Sequence, residues 1–126
     1  MVEEMTNIVY VVQKQLTQDG SGRLVPKVDL TPARQFGTLE YLLGPTAGPN
    51  DPESVLADLR VKLQYLTEED FLLLVGNPCL IGWAVAVAAQ RCPRLNLLQW
   101  SSRERKYYAV PCDLSEPVRI EINGNY

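Results

Sequence analysis

Aromatic and basic side chains are interleaved in the short segment 100–108. The set consists of Trp100, Arg103, Arg105, Lys106, Tyr107 and Tyr108. Aromatic faces and cations together hold single-stranded nucleic acid, and the same residue types supply the anchors of protein interfaces. An ordinary β-hairpin, with aromatic side chains on the core and charges in water, explains the pattern equally well. Because neighbours on a strand face opposite ways, only one of Tyr107 and Tyr108 can face the core.

A second candidate site is Gly76-Asn77-Pro78-Cys79, where a predicted strand turns into a predicted helix. The first amides of a helix are unpaired and the helix dipole is positive there, so such a turn can bind a phosphate or another anion. Arg103 or Arg105 would add charge. Since the chain has neither Gly-x-Gly-x-x-Gly nor Gly-x-x-x-x-Gly-Lys-Ser/Thr, a plain connection with a good N-cap is the favoured interpretation.

Catalysis by the familiar side chains finds little support in the composition. The chain contains no histidine, which excludes an imidazole base, a Cys-His couple and any zinc site that needs histidine. Cys79 would sit in the first turn of a helix, where a thiolate is favoured, but a buried small residue is the favoured interpretation. Three cysteines without a Cys-x-x-Cys pair indicate free thiols in a reducing compartment. We expect no cofactor.

The densest run of carboxylates is Glu68-Glu69-Asp70. Such a set can hold magnesium or act as acid and base. It precedes a predicted strand, on the edge of the sheet away from the expected ligands, so a solvated loop is the favoured interpretation. We expect no metal site.

The elements that position these residues follow from local patterns. Strands are predicted over 7–12, 38–43 and 71–75, and two more over 95–100 and 107–114 form a hairpin. Segment 23–30 is extended, with Pro26 keeping it at an edge. Asp51-Pro52-Glu53 and Asn77-Pro78 start two helices, because each offers an N-cap followed by proline. The second helix is apolar all round and is predicted to be largely buried.

This order of elements predicts an α/β fold: a three-layer sandwich with a partly parallel central sheet and an antiparallel edge hairpin. A length of 126 residues favours one domain over residues 1–126. Residues 115–126 form either a flexible tail or a short strand through 118–122. The longest apolar stretch is too short to span a bilayer and no secretion signal is present, so we expect a cytoplasmic protein without a membrane partner.

Several short motifs in order resemble small uncharacterised proteins of tailed bacteriophages. They are Ile8-Val9-Tyr10-Val11-Val12-Gln13, Phe36-Gly37-Thr38-Leu39, Val75-Gly76-Asn77-Pro78 with Ile81-Gly82, and Leu97-Leu98-Gln99-Trp100 before Arg103 and Tyr108. The family more usually has Gly-Asp-Pro at the turn, so Asn77 is a departure. The resemblance implies a viral origin and the cytoplasm of an infected bacterium, and it brings no established activity.

Three functions follow as hypotheses. The first is a non-enzymatic phage accessory protein that binds a host or viral protein. The second is a nucleotide or phosphate-ligand domain at Gly76-Asn77-Pro78. The third is single-stranded nucleic-acid binding through Trp100, Arg103, Arg105 and Tyr108. An exposed edge strand in the hairpin would also allow a homodimer formed by sheet extension.

Overall fold

A computed structural model describes residues 6–115 of the chain. The elements in chain order are β1 (Ile8–Gln13), β2 (Leu16–Gln18), β3 (Leu24–Pro26), a 3-10 helix (Thr31–Phe36), β4 (Thr38–Leu43), α1 (Pro52–Lys62), β5 (Phe71–Leu73), α2 (Pro78–Arg91), β6 (Arg94–Ser101) and β7 (Lys106–Asp113). The tail or strand predicted beyond Ser115 lies outside the described residues.

Five of the strands form one sheet in the order β4-β1-β5-β6-β7. The first four run parallel, and β7 pairs antiparallel with β6. The wholly apolar β5 is the middle strand, and its Leu72 and Leu73 are each 1% exposed on opposite faces. The predicted partly parallel sheet with an antiparallel edge hairpin is therefore confirmed.

The two faces of the sheet are covered by different elements. Tyr10 and Val12 pack with α1 and α2, whereas Val9 and Val11 pack with Ala33 of the 3-10 helix. Along the sheet, the connections from β4 to β5 and from β5 to β6 run in one direction, and the connection from β1 to β4 runs in the opposite direction. Because crossovers between parallel strands are right-handed, connections that run in opposite directions lie on opposite faces of the sheet. The predicted α/β sandwich is confirmed. Its third layer is the short 3-10 helix with its adjoining loop, which the sequence analysis did not predict.

Both long helices begin where their caps predict. Asp51 Oδ1 accepts from the amide of Ser54 at 3.3 Å, and Asn77 Oδ1 accepts from the amide of Cys79 at 2.9 Å. A proline follows each cap and needs no hydrogen-bond acceptor there. These two junctions place the loops at the carboxyl edge of the sheet.

The prediction that α2 is largely buried is wrong. It buries Leu80, Ala84, Val87 and Ala88, while Cys79, Gly82 and Ala86 are exposed. The helix α2 is apolar on all sides because small residues occupy its solvent-exposed face, while the apolar residues of the other face contact the core. Within residues 6–115, neither α1 nor α2 is long and apolar enough to cross a membrane.

Both edges of the sheet carry features that hinder pairing with a further strand. Leu114, which directly follows β7, donates its amide to Pro93 O at 2.9 Å. In an antiparallel pair every second residue directs its amide to the partner strand, so the position of Pro111, three residues earlier, is one whose amide would point away from β6. Proline offers no donor to an added strand. On the other edge, Lys62 Nζ donates to Leu42 O of β4 at 2.7 Å. Lysine and proline are common means of protecting sheet edges.

The amino-terminal edge of the sheet is held by a buried carboxylate. Asp70 is 7% exposed, and it accepts from the amide of Ile8 at 2.9 Å and from the amide and hydroxyl of Thr67 at 2.9 and 3.1 Å. The interpretation of the acidic run as a solvated loop is thus wrong for Asp70. Glu68 and Glu69 are exposed, as predicted.

Tyr10 makes the fold lose stability at alkaline pH. Burial, with the carboxylates of Asp70 and Glu40 nearby, raises the pKa of Tyr10 to about 12. The unfolded chain releases the same proton near pH 10. The unfolded state then binds fewer protons than the folded state, so the free energy of unfolding falls from about pH 10 to about pH 12, and the contribution of Tyr10 is complete below that window.

We expect Tyr10→Phe to reduce this alkaline loss of stability. Urea denaturation of both proteins at several pH values measures it: their difference in unfolding free energy should stay constant from about pH 7 to 9, and above that range wild type should lose stability relative to Tyr10→Phe. Two parallel curves up to the highest pH would contradict the assignment.

Candidate functional site

A cleft of about 860 Å³ opens on the face of the sheet that carries the 3-10 helix, at the carboxyl ends of β5 and β6. We call it the hairpin cleft. Its lining residues are Lys27, Val28, Asp29, Pro32, Leu73, Leu74, Val75, Leu98, Gln99, Trp100, Arg105 and Tyr107. Ligand pockets commonly lie at this edge of an open α/β sheet and have volumes of roughly 300–1,000 Å³.

The hairpin of β6 and β7 forms one wall of the hairpin cleft. Trp100 and Tyr107 are paired across the ladder with ring centroids 5.0 Å apart and planes at 63°. Tyr107 is 4% exposed, and it packs on Leu98, whereas Trp100 is 42% exposed. The buried tyrosine therefore supports the tryptophan from below and leaves part of its ring accessible.

Arg105 closes the hairpin turn in an unusual backbone conformation. Its φ is 54°, in the left-handed region that disfavours residues other than glycine and asparagine. Its amide donates to Ser101 O at 2.7 Å, which fixes the turn. The exposed guanidinium side chain lines the hairpin cleft.

The opposite wall is the loop that joins β3 to the 3-10 helix. Asp29 Oδ1 accepts from the amide of Thr31 at 3.0 Å. Hydrogen bonding from the backbone and the side chain of Thr31 lowers the pKa of Asp29. Across the cleft, burial raises the pKa of Tyr107, and the negative charge of Asp29 adds to the effect. Lys27 is held by its amide, which donates to Gln15 O at 2.9 Å.

The aromatic and basic residues of segment 100–108 lie in different places in the structure. Trp100 and Arg105 line the hairpin cleft. Tyr108 is 42% exposed on the other face of the sheet, since it alternates with Tyr107 along β7. Arg103 is exposed in the turn, and Lys106 Nζ lies 3.1 Å from Glu104 Oε2 in an exposed ion pair.

The residues Gly76, Asn77 and Pro78 line a separate crevice of about 410 Å³. It lies between the ends of β1 and β5, where the connections leave the sheet on opposite faces. The Gln13 side chain crosses this crevice: Nε2 donates to Gly44 O and Ala47 O at 3.1 and 2.9 Å, and Oε1 accepts from the amide of Asn77 at 2.9 Å. Two amides that an anion would need, those of Asn77 and Cys79, are thus engaged within the chain.

Gly76 is required at this crevice by conformation and by space. Its φ is 133°, and a β-carbon added there would lie 2.6 Å from Gln13 Cβ. Cys79, predicted to be buried, is instead exposed at the start of α2, and it is a free thiol like Cys92 and Cys112. Binding of an anion at Gly76-Asn77-Pro78-Cys79 stays a prediction.

Several residues of these sites were missed by the sequence analysis. Gln13 is the polar last residue of an otherwise apolar, buried strand, and that position is itself a signal at the carboxyl edge of an α/β sheet. Asp29 and Pro32 belong to Asp-Leu-Thr-Pro, a pattern of turn followed by helix start that marks the 3-10 helix. No group of three or more metal-ligating side chains gathers among residues 6–115.

The fold is that of a small α/β protein with two clefts at the carboxyl edge of its sheet. Residues 7–114 match the family model described as Phage Pam3 gp32-like protein, and the chain belongs to this family. The predicted resemblance to small phage proteins is confirmed. No curated protein and no solved structure matches the chain.

Proposed function

We propose that this phage protein is a non-enzymatic accessory protein that binds a host or viral protein in the cytoplasm of the infected bacterium, and that the hairpin cleft receives the partner. The observation that carries the proposal is the cleft itself, with its apolar floor at Leu73 and Leu98 and an accessible Trp100 beside Arg105. Tryptophan and arginine are the residues most enriched among the anchors of protein interfaces.

The chemistry of the lining supports binding. Among residues 6–115, no serine, threonine, cysteine or histidine lines the hairpin cleft. Its charged side chains, Lys27, Asp29 and Arg105, suit pairing with charged and polar groups of a partner. The rigid positions of Trp100 on β6 and of Tyr107 beneath it limit the conformational entropy that a partner would have to remove on binding.

The test uses two aromatic residues that are equally exposed on opposite faces. Trp100 and Tyr108 are each 42% exposed, but only Trp100 lines the hairpin cleft. Wild-type protein, Trp100→Ala and Tyr108→Ala are used to capture proteins from lysate of phage-infected bacteria. We expect Trp100→Ala to reduce the amount of the captured partner roughly tenfold or more and Tyr108→Ala to leave it unchanged.

Thermal melting of all three proteins shows whether each variant is folded. Equal capture by Trp100→Ala and wild type would contradict the proposal. Loss of capture with Tyr108→Ala alone would place the binding surface on the helical face and would also contradict it.

A further inference from the structure

The hairpin cleft carries more positive than negative charge at its walls. Lys27 and Arg105 line it, together with one carboxylate, Asp29. Neither cation has a carboxylate of residues 6–115 within ion-pair distance, and Asp29 Oδ1 is already engaged by the amide of Thr31. Two cations are therefore available to an incoming group, in a chain whose net charge is −3.

Arg105 keeps its charge at the cleft at the expense of backbone strain. A residue other than glycine in the left-handed region is strained, and strain of this kind is concentrated at functional sites. Glycine would relieve the strain and asparagine would reduce it, but neither would place a guanidinium beside Trp100. The guanidinium can pair with a carboxylate through two parallel hydrogen bonds.

The apolar part of the cleft selects a second feature of the occupant. Leu73 and Leu98 are buried beneath it, and the accessible part of the Trp100 ring stands beside them. An aromatic or leucine side chain placed there would remove apolar area from water on both itself and the cleft.

The same geometry disfavours nucleic acid. Binding of a single strand uses successive aromatic faces on one surface, but Tyr108 lies on the opposite face from Trp100 and Tyr107 is 4% exposed. Among residues 6–115, Trp100 alone is left for stacking on this face of the hairpin.

We propose that the occupant of the hairpin cleft is a segment of a partner protein that carries an acidic side chain next to an aromatic or leucine side chain. The carboxylate pairs with Arg105, Lys27 adds positive charge from the opposite wall, and the apolar side chain lies against Trp100 and above Leu98. This inference rests on the proposed function and adds the chemistry of the partner.

The experiment is selection from a library of random short peptides displayed on a carrier, with wild-type protein as bait and removal of peptides that also bind Trp100→Ala. We expect the enriched peptides to combine Asp or Glu with a neighbouring aromatic residue or leucine. An enriched peptide made with a fluorescent label should bind wild-type protein with an affinity that falls as salt is added.

Arg105→Gly separates the charge from the fold. This variant removes the guanidinium and relieves the strained φ, so we expect a higher melting temperature and roughly tenfold or greater loss of peptide affinity. Lys106→Gly is the matched control, since Lys106 is paired with Glu104 outside the cleft, and it should retain the affinity.

The outcomes distinguish this inference from the proposed function. Enriched peptides without acidic residues, no enrichment at all, or unchanged affinity in Arg105→Gly would overturn the inference. So would a single-stranded oligonucleotide that binds the cleft more tightly than the selected peptide. If capture from lysate still depends on Trp100 in any of these cases, the proposed function stands and only the partner chemistry is wrong.

Discussion

Gln13→Ala should lower the free energy of unfolding by about 2 kcal/mol. The Gln13 side chain is 5% exposed and joins three segments that are distant in sequence. Its removal leaves the amide of Asn77 and the carbonyls of Gly44 and Ala47 without their partners at a part-buried site. An unsatisfied buried polar group costs about 1–3 kcal/mol, and the lost contacts beneath Gly76 add to this.

Two further substitutions separate the hydrogen bonds from the size of the side chain. Gln13→Glu keeps the shape and the acceptor for the Asn77 amide, but it replaces a donor by a carboxylate oxygen that faces two carbonyls, so a similar loss is expected. Gln64→Ala is the control, because Gln64 is exposed and donates only to Val61 O; it should change stability by less than about 0.5 kcal/mol. Equal urea midpoints for Gln13→Ala and Gln64→Ala would contradict the role of Gln13.

The sequence predicts an element correctly when the residues that specify it lie within that element. Asp51-Pro52 and Asn77-Pro78 start α1 and α2 at the observed residues. The unbroken apolar run of β5 identifies the middle strand, because only a strand covered on both faces needs no polar position. Each of these features depends on neighbours within one turn or one strand.

Features that depend on distant segments escape such reasoning. Nothing within α2 indicates that its Gly82 and Ala86 face solvent, since the surface a helix buries is chosen by the sheet beneath it. The 3-10 helix packs in a cluster with Val9, Leu73 and Leu98. Its own sequence marks where the helix starts but does not show that it forms a layer of the fold. Propensity is a weak guide where tertiary packing decides.

The candidate site was predicted on one wall only. Trp100 and Arg105 were identified from their types and spacing, and alternation along β7 correctly indicated that one of two adjacent tyrosines faces the core. The second wall, at Lys27 and Asp29, lies about seventy residues earlier in the chain, and only the crossover from β1 to β4 brings it across from the hairpin.

The two clefts at the carboxyl edge differ in whether their polar groups are paired within the chain. At the crevice beside Asn77, the chain satisfies its own amides through Gln13 and fills the space below Gly76. At the hairpin cleft, Lys27 and Arg105 are left without partners among residues 6–115. The amides of Asn77 and Cys79 at the helix start are therefore already hydrogen-bonded within the chain, whereas the two cations of the proposed binding cleft have no ion-pair partner in this part of the chain.

Gly37→Ala should destabilise the protein by about 3 kcal/mol or more, because it forces apart the start of the β1–β4 pair. A β-carbon at Gly37 would overlap Asn7 O, an atom that accepts from the amide of Thr38 at 2.9 Å. A shift of Asn7 would also disturb the hydrogen bond that the neighbouring Ile8 amide donates to Asp70. Gly82→Ala, with nothing within 4 Å of the added carbon, should instead stabilise α2 by up to about 1 kcal/mol. Urea midpoints measure both, and a Gly37→Ala protein as stable as Gly82→Ala would show that the strands do not approach this closely.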